Sequence, residues 1–339
     1  MWRHKSYTII NILGMAIGIA AMVWGFQTYR FSLGFDDFHK DRDHVYRALT
    51  FQSGANGVRG IFPMAAVRQA QADLAGIAEA VRWDSRGVNV KYDKNEAFAE
   101  QAHFTDPAFF DLFNFPVVRG SKNIADKTSL LITETIAKKY FGNQDPLGKT
   151  LVFYSGENYA MPLTVTGVLK DPPMKSTIRF GFLTNFENYL KSDGTPIAAD
   201  DWKWMLDAAF FRIPNPHDAT LIAKSLNKYL PLQNKARMDW KASGFKLITI
   251  RENATTINIH SNGLHERPGD SATYGPFVLA LLIFLSACLN FSNTTVSHAN
   301  RRLKEIGMRK VMGSSHRQLV TQLLLECCFI VVLAVLVSV

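Results

Sequence analysis

The chain has 339 residues, is 47% hydrophobic and 20% charged, and carries a formal net charge of +9. That length supports one or two domains with cores of their own, and the ordinary share of charged residues excludes wholesale disorder. A mean hydropathy of -0.02 averages over a sharp partition. Residues 8–26, 277–291 and 319–339 are almost continuously apolar, whereas 30–275 is ordinary and polar. Neither a single soluble globule nor a many-spanning transporter complete in itself fits that pattern.

Charge follows the same partition. Arg3 and Lys5 precede the first apolar run without an acid beside them. Arg301, Arg302, Lys304, Arg309, Lys310 and Arg317 follow the second, against Glu305 and Glu326. The basic excess therefore flanks apolar runs and is not a nucleic-acid stripe on the polar segment. Cys288, Cys327 and Cys328 all lie in the last two runs. The polar segment has neither a disulfide framework nor zinc-finger spacing, and at its size a core suffices.

Thr8–Phe26 provides 19 residues where a spanning helix needs about 20. The run is longer than the apolar core of a signal peptide and no clear cleavage site follows, so an uncleaved spanning helix is expected over 8–28, after a short N-terminus at 1–7. Gly14, Gly18, Ala21 and Gly25 give it a small-residue face suited to close helix packing. His39 and His44 then sit in an acidic run with Asp36, Asp37, Asp41 and Asp43, read as a solvated junction.

The polar segment alternates helical and strand patterns. Apolar residues at Met64, Val67, Ala70, Leu74, Ile77 and Val81 predict a helix over 63–81, and 88–92 predicts a strand. Asp106-Pro107 predicts a short helix with an acid at its N-cap, followed by Phe109, Phe110 and Phe113. A strand is expected at 130–133, a helix at 134–141 stopped by Gly142, and strands at 150–154 and 163–169 around a turn at 155–158. Asp171-Pro172-Pro173 ends the second strand. A capped helix is expected at 218–230, with Leu221, Ile222, Leu226 and Tyr229 on one face, and strands at 245–251 and 256–260. The sum is a large mixed α+β domain with possible βαβ units, spanning 30–275 between the first and second membrane helices.

A second span is expected at 276–296 and a third at 319–339, with Trp24, Tyr29 and Tyr274 near segment ends as in an aromatic belt. Glu326, eight positions into the third run, needs protein, water or headgroups around it, and an interfacial place is favoured. Between the spans, 297–318 combines basic residues with Leu303, Ile306, Val311 and Met312 as an amphipathic helix broken at Gly313-Ser314-Ser315. Its periodicity alone fits either a headgroup-bound helix or a docking helix for a partner. The six basic residues after the second run place 297–318 in the cytoplasm, and with it the N-terminus, leaving the large domain outside.

Catalytic patterns do not rise above background. The chain has neither a GxxxxGK[ST] loop nor a GxSxG elbow. His260, His265 and Glu266 lack the spacing of a zinc-binding helix face and are read as loop or surface residues. The 24 Phe residues are read as core.

The segment RRLKEIGMRKVMGSSHRQLV (301–320) resembles the cytoplasmic coupling segment of FtsX-like ABC-transporter permeases. Other stretches agree in order. KSYTIINILGMAIGIA resembles that family's first helix. FTDPAFFDLFNFPVVRG (104–120), LLITETIAKKYFGNQDPLGKTL (130–151) and LTVTGVLKDPPMKSTIRFGFL (163–183) resemble a MacB-like periplasmic core domain. The resemblance implies an α-helical membrane protein of the bacterial inner membrane, with three spans present and a periplasmic mixed α+β domain. It implies a non-enzymatic permease subunit, without a cofactor of its own, that converts ATP hydrolysis into periplasmic motion. ATP and Mg would be used by a separate cytoplasmic ABC ATPase. Arg302, Lys304, Glu305, Ile306, Gly307, Arg309 and Lys310 would lie in or beside the ATPase-docking segment. Further partners implied are a second permease copy or half, a periplasmic adaptor or outer-membrane component, and the lipid bilayer, with no nucleic acid. Efflux, lipoprotein or peptide export, and regulation of a cell-wall hydrolase all occur in such a family. A membrane-anchored sensor or binding module is the alternative from another class. The family has a fourth helix, and a chain stopping at Val339 inside an apolar run is expected to be part of a longer one.

Overall fold

The structure is a computed structural model that describes residues 5–54, 57–93, 96–155, 159–191, 196–256, 259–301 and 303–338. Two compact units form, Gly34–Arg267 and the pair Met1–Leu33 with Pro268–Val339.

Helix α1 (Lys5–Leu33) runs seven residues past the apolar run, because Gln27–Leu33 contains neither Gly nor Pro to stop it. Strand β1 (Val45–Gln52) has its first six residues buried. The short strands β2 (Val58–Arg59) and β3 (Phe62–Pro63) lead into α2 (Met64–Asp73). The helix expected over 63–81 ends there. Leu74 is extended, Gly76 takes φ +95°, and the chain enters β4 (Glu79–Lys91). The spacing of Leu74, Ile77 and Val81 imitated a helical stripe across a turn and the start of a strand.

Next come β5 (Phe98–Thr105), α3 (Phe109–Leu112), β6 (Val117–Gly120), β7 (Ser129–Thr133) and α4 (Glu134–Phe141). Gly142 stops α4 at φ +58°, as read from the sequence. Strands β8 (Thr150–Ser155) and β9 (Tyr159–Leu169) follow, and most of the turn expected at 155–158 lies outside the described residues. After β10 (Phe182–Asn185) and a 3-10 turn at Phe186–Lys191 come β11 (Met205–Leu206) and β12 (Ala208–Arg212). Helix α5 (Asp218–Leu226) passes through a single turn into α6 (Leu230–Ala236). Leu221 stands on its solvent side, while Ile222, Leu226 and Tyr229 are buried.

Strand β13 (Ala242–Thr249) stops short of the expected Arg251 because a capping box opens α7 (Ile250–Thr255). Thr249 Oγ1 accepts from the Glu252 amide at 3.0 Å, and a Glu252 carboxylate oxygen accepts from the Thr249 amide at 2.8 Å, satisfying two amides at once. Strand β14 is described at Ile259–His260, and residues 257 and 258 of the strand expected at 256–260 lie outside the described residues. The chain ends in α8 (Asp270–Arg301), α9 (Leu303–Val311) and α10 (His316–Ser338).

Twelve strands form one mixed sheet along the path β14-β2-β1-β12-β4-β5-β10-β7-β9-β6, with β13 added to β1 and β8 bridging β4 and β9. Strands β7 and β9 are parallel, connected through α4 and β8, and β10 is parallel to β5. Successive strand side chains point to opposite faces, and here both faces are covered. Leu130 and Ile132 join one core with Ala209 and Phe211, whereas Leu131 joins the other with Val81, Trp83, Ala208 and Phe210. The first core is roofed by α2, α4 and α5. The second is closed by Phe109, Phe110 and Leu112 of α3, by Phe113, Phe115 and Phe180, and by Ile250 and Leu264. Two-sided burial explains why β7 reads as the uninterrupted run SLLIT rather than as an alternating strand.

Candidate functional site: the coupling segment and the links of the large domain

Among the described residues three helices are long and apolar enough to cross a membrane, at Ile9–Leu33, Asp270–Ser297 and His316–Ser338. The small-residue face of α1 lies against α8. A Cβ placed on Gly18 would come within 2.8 Å of the Ala287 Cβ, and one on Gly25 within 2.7 Å of the Ala280 Cβ and 3.0 Å of the Pro276 carbonyl oxygen. At Gly14 the nearest atom is Asn290 Nδ2 at 3.8 Å, an ordinary contact. Ala21 is half-buried. Met15 and Ala16 pack with Ala334 of α10. Tyr29 stacks on Phe277 at 5.3 Å between ring centroids and meets Tyr274 at 5.9 Å.

Between the last two apolar helices, α9 carries Lys304, Ile306, Gly307, Arg309 and Lys310. Arg302 and the side chain of Glu305 lie outside the described residues. Leu303, Met308, Val311 and Met312 are exposed, Met308 to 62% and Val311 to 90%, while Ile306 is half-buried. A Cβ on Gly307 would meet nothing within 4 Å. Gly313 takes φ +97° and ends the segment, and Ser315 exchanges hydrogen bonds with Gln318 to start α10. Arg309 donates to Gln322 Oε1 at 3.1 Å, and Gln322 donates to Glu326 Oε1 at 3.4 Å. Glu326 thus belongs to a polar ladder running up from the coupling segment. The segment presents apolar and basic groups outward together, a surface that suits either a protein partner or lipid headgroups.

The acidic run 36–43 is only in part a solvated junction: Asp37, Lys40 and Asp43 are exposed, but Asp36 and His39 are not. Asp36 is fully buried and His39 is 2% exposed. Asp36 adopts φ +56°, and its carboxylate accepts from the Thr177 amide at 2.9 Å and the Thr177 hydroxyl at 2.6 Å. Burial raises the Asp36 pKa against these hydrogen bonds. His39 is held between the rings of Phe38, Phe113 and Phe115. Its Nδ1 accepts from the Asn114 amide at 3.0 Å, and burial pushes its pKa down to about 3, so the ring is neutral. Lys40 donates its amide to Asn114 Oδ1 at 2.8 Å. Asp41 accepts from Arg212 and Asp43 from Arg251. Asp36, His39, Asp41 and Asp43 thus have partners elsewhere in the domain, whereas Asp37 pairs with Arg42 inside the run and the buried Nε2 of His39 has no partner among the described residues.

At the other end of the domain, His265 donates its amide to the Thr177 carbonyl at 2.8 Å, and Arg267 donates to the Thr255 carbonyl at 2.9 Å. Glu266 accepts from Asn262. His260 is exposed on β14. Sequence reasoning also missed two buried arginines. Arg47 donates to Asn253 Oδ1 at 2.9 Å and to the Gly60 carbonyl at 3.0 Å. Arg82 forms a fork with Asp106, Nε to Oδ2 at 2.9 Å and Nη2 to Oδ1 at 2.6 Å. Asp106 is therefore not the N-cap acid of α3; its carboxylate is committed to Arg82. Periodicity carries no signal for either arginine, since an arginine inside VYRAL or AVRWD reads as the outward residue of a strand. A cleft of about 590 Å³ adjoins Asp106, lined by Arg68, Gln71 and Glu79, with Arg68 3.6 Å from Asp106.

Comparison with known proteins identifies the family. The profile of the MacB-like periplasmic core domain matches residues 8–226, and that of the FtsX-like permease C-terminal region matches 277–339. The chain belongs to the MacB-like periplasmic core domain family, joined to an FtsX-like permease region. Among solved structures it is similar to a domain of a permease protein from Porphyromonas gingivalis, with 19% identity over 62% of this chain and 91% of that one and a TM-score of 0.45. It is also similar to the extracellular domain of the noncanonic ABC-type transporter YknZ from Gram-positive bacteria, with 17% identity over 60% of this chain and 100% of that one, TM-score 0.44. The periplasmic region of MacB from Actinobacillus actinomycetemcomitans matches with 15% identity over 65% of this chain and 96% of that one, TM-score 0.45. No curated protein sequence matches.

Proposed function

We propose that this chain is a permease subunit of an ABC transporter, embedded in the bacterial inner membrane by α1, α8 and α10. In this reading a separate cytoplasmic ATPase docks on 297–318, and its ATP-driven motion is passed to the domain Gly34–Arg267 on the far side of the membrane. The cargo is handled outside the bilayer, by efflux or by export of a lipoprotein or peptide. The observation that carries the reading is the coupling segment. A short helix between two apolar helices exposes Leu303, Met308, Val311 and Met312 beside Lys304 and Lys310, more apolar surface than a loop facing water needs. Family membership supports it, and so does the basic cluster, which the positive-inside rule places in the cytoplasm. No catalytic role is assigned to the chain itself.

Topology tests the orientation on which this depends. In a form with Cys288, Cys327 and Cys328 replaced by serine, Thr220→Cys is placed on the exposed side of α5 and Ser315→Cys in the exposed turn before α10. An impermeant thiol reagent added to intact cells whose outer membrane has been permeabilised is expected to label Thr220→Cys and to spare Ser315→Cys. Labelling of Ser315→Cys alone would reverse the orientation and remove the docking site from the cytoplasm.

A further inference from the structure

The large domain has two covalent links to the apolar helices, the stretch after Leu33 and the stretch before Pro268. Both are held by the loop between β9 and β10. The Asp36 amide donates to the Lys175 carbonyl at 2.8 Å, and the Asp36 carboxylate takes both donors of Thr177, the amide at 2.9 Å and the hydroxyl at 2.6 Å. The Thr177 carbonyl in turn accepts the His265 amide at 2.8 Å. Thr177 thus uses its backbone donor and its hydroxyl on one link and its backbone acceptor on the other.

The surroundings keep this arrangement in place. Thr177 is 2% exposed, so water does not compete for these groups. Ser176 fixes the loop by donating its hydroxyl to the Ile178 carbonyl at 2.7 Å. Ile178 and Phe180, just beyond, lie in the second core together with Leu264 of the trailing link, and Phe38 of the leading link packs against that core. Asn253 donates to the Thr177 hydroxyl oxygen at 3.5 Å and accepts from the buried Arg47 at 2.9 Å, so the junction continues into β1. The left-handed backbone at Asp36 is one that Asp and Asn tolerate better than other non-glycine residues, and it turns the carboxylate onto the loop.

We propose that Thr177 is the crosspiece of the domain. It binds the leading and trailing links to each other and to the β9–β10 loop, so that a displacement arriving along either link moves both links and the sheet together. A hydrogen bond to a buried carboxylate is stronger than a neutral one, and breaking it leaves a buried charge without a partner. The junction therefore opens as one unit or stays closed. The proposal rests on the reading of this chain as a transmitter of ATP-driven motion.

Native-state hydrogen exchange on the full chain in lipid nanodiscs, read residue by residue by mass spectrometry with electron-transfer fragmentation, tests the crosspiece without any ATPase. In the wild type, the amides of Asp36, Thr177 and His265 are expected to open with one free energy and one urea dependence. Thr177→Val removes the hydroxyl, and Asp36→Asn keeps the left-handed backbone but removes the charge. Each is expected to speed exchange at His265 roughly tenfold, although Asp36→Asn leaves that amide and its acceptor residue untouched and Thr177→Val keeps the accepting backbone carbonyl, while Leu131 and Val165 in the sheet are unchanged. Faster exchange at Asp36 and Thr177 with His265 unmoved would overturn the proposal, as would different urea dependences for the three wild-type amides. If a variant also loosens Leu131 and Val165 it has unfolded, and the wild-type urea dependence decides alone. Failure here would leave ATPase docking on 297–318 standing, and failure of ATPase docking would leave the crosspiece standing as a structural fact.

Discussion

Replacing Asp106 by alanine is expected to destabilise the large domain by about 3–5 kcal/mol, because it strands the Arg82 guanidinium in the core. Arg82 is 1% exposed. Asp106 receives its backbone amide at 2.8 Å as well as both arms of the guanidinium. Glu187 lies 3.4 Å from Nη2, and the ring of Phe186 lies 4.0 Å from the guanidinium carbon. Glu187 is too far away and too exposed to replace a bidentate partner. The reverse change, Arg82→Leu, removes the charge together with its desolvation cost and is expected to be milder, since Asp106 is partly exposed and can be hydrated. Urea unfolding followed by tryptophan fluorescence measures both, Trp83 being the next residue and buried. A loss below about 1 kcal/mol for Asp106→Ala would show that water reaches Arg82 and that the fork is not a core contact.

The second large effect is expected in the apolar unit. Gly25→Leu should separate α1 from α8 and cost at least about 3 kcal/mol, at the upper end of overpacking penalties. The atoms its side chain would meet are largely backbone: the Pro276 carbonyl oxygen at 3.0 Å and the Phe277 Cα at 3.2 Å, besides the Ala280 Cβ at 2.7 Å. None of these is the free end of a flexible side chain. Gly14→Ala on the same helix is the control. Its nearest neighbour is 3.8 Å away, and alanine is the better helix former by up to about 1 kcal/mol. Unfolding in mixed detergent and SDS micelles is expected to rank Gly14→Ala at or above wild type, with Gly18→Ala below it and Gly25→Leu lowest. Equal stability of Gly14→Ala and Gly25→Leu would mean that the two helices do not pack through this face.

Legibility in the sequence followed the physics of each element. The three apolar helices announce themselves because long, almost continuously apolar runs have few other uses. Helix α4 was legible to the residue, since its start, amphipathic stripe and stop at Gly142 agree. The helix over 63–81 failed at Leu74, where apolar residues three and four apart belonged to two different elements. Strand β13 was begun three residues late and ended two residues late, the end because the capping box at Thr249 and Glu252 lies inside an apparently continuous strand. The junction at Asp36 and His39 was read as solvated because charged residues near an apolar helix usually are. Only the fold brings Thr177 to Asp36, Asn114 to His39 and Arg212 to Asp41. Of the coupling segment, the amphipathic pattern was legible in the residues, but its outward exposure and the ladder from Arg309 to Glu326 depend on the turn at Gly313.

The central claim is that 297–318 receives an ATPase, and its most direct measurement is ATP hydrolysis in lipid. The chain would be reconstituted with candidate cytoplasmic ABC ATPases, and turnover compared with permease, without it, and with Met308→Glu combined with Lys310→Glu. Both substitutions fall on exposed positions of α9, where they leave helix packing intact while reversing the character of the docking face. The expected result is that the native chain associates with and stimulates a cognate ATPase, and that the double variant inserts normally but loses both association and stimulation. Stimulation unchanged by the double variant, or no ATPase bound by the native chain, would contradict the account and leave 297–318 as a basic helix lying on the membrane surface.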